Sequence, residues 1–72
     1  MDRCYLAVSS VDPDPPATYW AASARAALAE ALADFRDTYP LKVAGRDAVV
    51  LVEWTGPGGC EERASALAYP DP

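Results

Sequence analysis

Histidine is absent from this 72-residue chain, and basic side chains are scarce: six Lys and Arg stand against eleven Asp and Glu. Without His, the commonest acid/base group at neutral pH and the commonest metal ligand are both missing. Only two cysteines, Cys4 and Cys60, are present, too few for structural zinc with its four N or S ligands, and no His stands ready to activate either as a nucleophile. The formal net charge of −5 repels nucleic-acid phosphates and attracts basic protein surfaces, which argues against direct DNA or RNA binding. No stretch approaches the length of a membrane span. The opening residues, MDRCYLAVSSVD, carry one Arg and an apolar run too short and interrupted for a secretory signal. These absences lead to the expectation of a cytoplasmic protein with reduced thiols.

The chain is nonetheless 51% apolar, with two Trp, four Tyr and one Phe, enough to offset chain entropy and argue against disorder. Its length predicts one domain over residues 1–72, with a small core that a disulfide or partner subunit would reinforce.

Residues 3–11 alternate with period two, Cys4, Leu6 and Val8 on one side and Tyr5, Ala7 and Ser9 on the other, which predicts a strand. The DPDPP run at 12–16 reads as a stiff connector, because each Pro lacks a donor and biases its predecessor away from helical angles. Leu28, Leu32, Phe35 and Tyr39 fall at i, i+4, i+7 and i+11, and Trp20 and Ala24 continue that stripe backwards. The prediction is a helix over 17–38, capped by Asp14 or Thr18 and ended ahead of Pro40. Residues 40–44 and 47–55 read as two strands around a Gly45 turn, with AVVLVEW buried on both faces and hence central. Gly56, Pro57, Gly58 and Gly59 form a turn, and 60–69 is irregular or a short helix.

The order strand, helix, strand, strand predicts an α+β fold: a small βαββ domain with a three-stranded, largely antiparallel sheet, order 1-3-2, and one long helix on one face. The uncovered face is assigned Tyr5, Ala7, Val49 and Leu51, which makes a homodimer through Tyr5, Val49 and Leu51 one reading. In this topology Cys4 and Cys60 approach one another, so a disulfide and two free thiols both remain open.

Carboxylates are the main functional signal. Glu30, Asp34 and Asp37 share one helix face at i, i+4 and i+7, a row of like charges. Its plain reading is a solvated face; its functional reading is a partner-binding surface together with Glu53, Glu61 and Glu62. No catalytic residue, cofactor or metal is expected, since paired carboxylates without a cleft do not make a glycosidase. In size and charge, a short, acidic, His-free domain displaying these six residues resembles the small phage-encoded inhibitors that include the anti-CRISPR proteins. That resemblance implies binding to a host nucleic-acid-handling complex and blocking of its DNA site, by mimicry or steric occlusion. The expectation is thus a non-enzymatic inhibitor or interaction module docking on a basic protein partner, with a structural subunit of a homo-oligomer as the alternative.

Overall fold

A computed structural model describes residues 1–11 and 16–70 of the chain; residues 12–15 of the connector predicted at 12–16, the candidate cap Asp14 among them, and the last two residues lie outside them. Arg3–Ser9 forms β1, as its alternation predicts. Ala17–Ala21, assigned above to the helix, is instead a second strand, β2, paired antiparallel to β1 from Arg3↔Ala21 to Ala7↔Ala17. The physical reason lies in its side chains. Thr18, Tyr19 and Trp20 are three consecutive residues that favour a pleated backbone, and the spacing of Trp20 from Ala24 and Leu28 imitates a helical stripe by coincidence.

The helix, α1, spans Ala24–Thr38, and neither proposed residue is its cap. Ser23 takes that role with extended angles, its Oγ accepting the Ala26 N–H at 3.2 Å, and this satisfies one of the donors that every helix start leaves unpaired. The helix stops as Pro40 requires, with the Tyr39 N–H closing on the Phe35 carbonyl at 2.7 Å. Ala24, Ala27, Leu28, Ala31 and Phe35 make its buried side. So many alanines on one face bring the helix axis close to the sheet.

Residues 40–44 are not a strand. Leu41–Ala44 is a single helical turn, α2, held by N–H groups of Val43 and Ala44 on the Pro40 carbonyl at 2.9 and 3.0 Å. Gly45, at φ 84°, then reverses the chain in a conformation that side chains disfavour. The true hairpin follows. Val49–Gly56 (β3) and Gly59–Leu67 (β4) pair antiparallel through the turn at Pro57 and Gly58, so the segment expected to be irregular or helical is the longest strand. A bulge between Trp54 and Thr55 pairs Trp54 with Glu62 but Thr55 with Cys60, leaving Glu61 as the extra residue.

The sheet is therefore four-stranded and wholly antiparallel, order β2-β1-β3-β4, in place of the predicted three strands in order 1-3-2. β3 lies inside, as its unbroken apolar run predicts, but it is not buried on both faces: Val50 and Val52 are covered, whereas Val49 is exposed and Leu51 half-buried on the other side. α1 covers one face, over Tyr5, Ala7, Ala21, Val50, Val52 and Ala68. Tyr5 and Val52 are fully buried. This corrects the assignment of Tyr5 and Ala7 to the open face. Among the described residues no helix is long and apolar enough to cross a membrane.

Candidate interaction surfaces

The register determines which side chains share the face that α1 leaves open. Cys4 pairs with Trp20, Leu6 with Thr18 and Glu53, Val8 with Leu51, Val49 with Leu67, Leu51 with Ser65, and Glu53 with Arg63. Residues directly opposite in adjacent strands point to the same side of a sheet, so these positions form one continuous surface. Trp20 is 65% exposed, Leu6 and Val8 44% each, Leu67 43% and Val49 36%. Cys4 and Leu51 between them are half-buried. The polar pair Glu53 and Arg63 borders this apolar field on the β3–β4 side, and the Cys60 thiol donates to Glu53 Oε2 at 3.4 Å. Cys4 and Cys60 are both free thiols; they lie on the first and fourth strands with β3 between them, two strand spacings of about 4.8 Å apart, beyond the reach of a disulfide.

The six carboxylates singled out by charge do not form one surface. Glu30, Asp34 and Asp37 are exposed on one flank of α1, the flank toward β2, where Tyr19 donates its hydroxyl to Asp34 Oδ2 at 2.7 Å. Glu53 belongs to the opposite side of the sheet. Glu61 folds back against Gly56, where a Cβ would strike its carboxylate.

Glu62 is a structural bolt. Its Oε1 accepts the Ala24 N–H at 2.8 Å, and its Oε2 accepts from the Tyr5 hydroxyl at 2.9 Å and from Arg3 at 2.7 Å. One side chain on β4 thereby ties the start of α1 to β1, and its negative charge sits where the helix dipole is positive. The Ala24 N–H, then the Tyr5 hydroxyl, hold its carboxyl below the ordinary value of 4.5, against the opposing effect of desolvation. Burial, then Glu62, push the Tyr5 phenol up from 10.0. Arg3 also stacks its guanidinium over Trp54, 4.5 Å from the ring centroid. The Arg3–Glu62 ion pair itself is partly exposed and screened by solvent.

On the acidic flank, burial and then the Asp34 hydrogen bond push the Tyr19 phenol up to about 12. Tyr19 is accordingly a hydroxyl donor at every physiological pH. Opposite, Arg36 donates Nε–H to the Ala68 carbonyl at 2.6 Å, securing the end of β4 to α1.

Sequence reasoning missed Trp20, Leu6, Val8 and Leu67 as surface residues. The alternation of Leu6 and Val8 was readable, but which side of β1 faces the helix depends on its pairing with β3, where Ala7 lies opposite Val52. Compared with known proteins, the chain matches no family model, no curated sequence and no solved structure.

Proposed function

We propose that this chain is a non-enzymatic interaction module that assembles with a second copy of itself, the two open sheet faces packed together and the helices outward. One observation carries the reading: five of the eight large hydrophobic side chains exposed among the described residues, Leu6, Val8, Trp20, Val49 and Leu67, lie on that single face. Scattered exposed hydrophobics need no explanation, whereas a contiguous set marks an interface.

Area and charge favour a second copy as the occupant. Four strands about 4.8 Å apart and roughly 24 Å long on average present roughly 450 Å² per copy, so a face-to-face pair buries roughly 900 Å² before rim side chains are added. That is the lower end of specific interfaces, in keeping with a dimer in exchange with monomer. Elsewhere the net charge of −5 makes two copies repel, but on this face Glu53 is offset by Arg63 directly opposite. The packing is the ordinary one of two sheets about 10 Å apart.

Sedimentation across micromolar concentrations tests the proposal. The wild-type chain is expected to shift from monomer to dimer, and Leu6→Lys to remain monomeric with an unchanged far-UV spectrum. A wild-type chain that stays monomeric at high micromolar concentration refutes it.

A second reading rests on the acidic row. Glu30, Asp34 and Asp37 stay exposed on the helix flank, which this dimer leaves in solvent, where they would meet a basic, nucleic-acid-handling partner of the kind an inhibitor blocks. Replacing all three with Ala should then weaken partner binding most at low salt. Affinity that is unchanged by the substitution and indifferent to salt would discard this reading.

A further inference from the structure

Between the second half of α1 and the strands β1 and β2 lies a cavity of about 180 Å³. Small side chains create it: Ala7, Ala17 and Ala31 line it where larger residues would fill the space. Three of its ten lining residues are aromatic, beside the aliphatic Val8 and Val50 and the hydroxyl-bearing Thr38. Tyr19, Phe35 and Tyr39 surround it, the last two with ring centroids 5.1 Å apart, and the Asp34 carboxylate stands among them. Asp34 receives the Tyr19 hydroxyl on Oδ2, and among the described residues no other donor reaches this carboxylate, whose second oxygen is the acceptor a guest would use.

We propose that this cavity binds a small organic cation, an alkylammonium with an apolar body of about one aromatic ring. Three features converge on that class. The volume slightly exceeds the roughly 150 Å³ of an apolar cavity that takes up benzene. Aromatic faces carry negative potential and attract ammonium groups. The carboxylate supplies a charged hydrogen-bond acceptor, and Glu30 and Asp37 on the same helix flank add to the field that draws in cations and repels anions. Arg36, by contrast, is committed to the Ala68 carbonyl, toward β4. The acidic row thus acquires a local role that needs no macromolecular partner. The site is on the helix side of the sheet and does not depend on the dimer.

The probe is 2-phenylethylammonium, titrated into the full chain and followed by amide and methyl NMR shifts, with phenylacetate as the size-matched anion. Saturable shifts at Ala31, Phe35 and Tyr19 are expected with the ammonium, and binding of the anion should be at least about tenfold weaker, since both a charged hydrogen bond and the field reverse. Asp34→Asn should weaken the ammonium about fivefold to tenfold and leave the anion unweakened. Ala17→Leu, at the end of the edge strand where added bulk does not strain the core, should abolish the shifts while the melting temperature stays unchanged. No saturable shift with the wild-type chain, equal binding of the anion, or full binding by Ala17→Leu would each overturn the proposal.

Discussion

Val52 and Val8 allow the same chemical change to be made on opposite sides of the sheet. Val52 on β3 is fully buried beneath α1, and Val8 on β1 is 44% exposed on the open face. Truncation to Ala removes two methyl groups, worth about 1.6 kcal/mol of transfer free energy when fully buried. At Val52 the cavity left behind adds roughly 1 kcal/mol, for a total of about 2–3 kcal/mol. In a chain of this size, each kcal/mol lowers the melting temperature by about 4–8 °C, so Val52→Ala should lower it by roughly 10–20 °C. At Val8 only the part already shielded within the monomer counts, and the loss there should be about 1 kcal/mol or less.

The exposed part of Val8 acts on association. Burying it in an isologous dimer recovers about 0.7 kcal/mol per copy, and symmetry counts it twice, so Val8→Ala should raise the dimer dissociation constant about tenfold. Melting followed by circular dichroism at low concentration separates the first effect, and sedimentation at high concentration the second. If Val8→Ala melts as early as Val52→Ala in the dilute monomer, the face assignment is wrong. If it leaves the dissociation constant of an existing dimer unmoved, the dimer uses another surface.

Three further outcomes follow from the ends of α1 and its flank. Ser23→Ala should destabilise by about 1 kcal/mol, lowering the thermal midpoint by about 4–8 °C, whereas Thr18→Ala should leave the helix signal unchanged because Thr18 is no cap. Glu62 is held below its ordinary value by the Ala24 N–H and the Tyr5 hydroxyl, so its contribution is complete above about pH 4.5 and is lost as pH falls from there through the depressed folded value; the wild-type midpoint should fall along that limb, and Glu62→Gln should be less stable at neutral pH with a flatter acid limb. Tyr19, shifted from 10.0 to about 12 by burial and Asp34, stabilises fully below pH 10 and loses that contribution as pH rises toward 12; tyrosinate absorbance should show Tyr5 and Tyr19 both titrating late, and Tyr19→Phe should reduce the late phase by one phenol.

Three elements could be read from sequence because local pattern and tertiary role agree. β1 alternates, β3 is an unbroken apolar run, and the stretch from Leu28 to Phe35 keeps its apolar residues on one side of α1. The others are decided elsewhere. Ala64 and Ala66 turn toward the core in strict alternation with exposed Arg63, Ser65 and Leu67, a period-two signal that alanine's helix preference obscures and that the hairpin with β3 enforces. In 17–38 the deciding residue was Ser23, whose capping oxygen starts a new element inside what looked like one long helix.

The same distinction governs the carboxylates. Glu62 and Asp34 look alike in sequence, both acidic side chains near an apolar stripe, yet one joins three elements and the other stands at the mouth of a cavity. Glu62 finds its helix partner 38 residues away, a separation at which no local spacing rule applies. An acidic composition therefore says how the surface repels or attracts at long range, but not which carboxylates are available. On this chain the fold itself uses Glu62, and the open face proposed to meet a second copy sets its carboxylate Glu53 directly opposite Arg63.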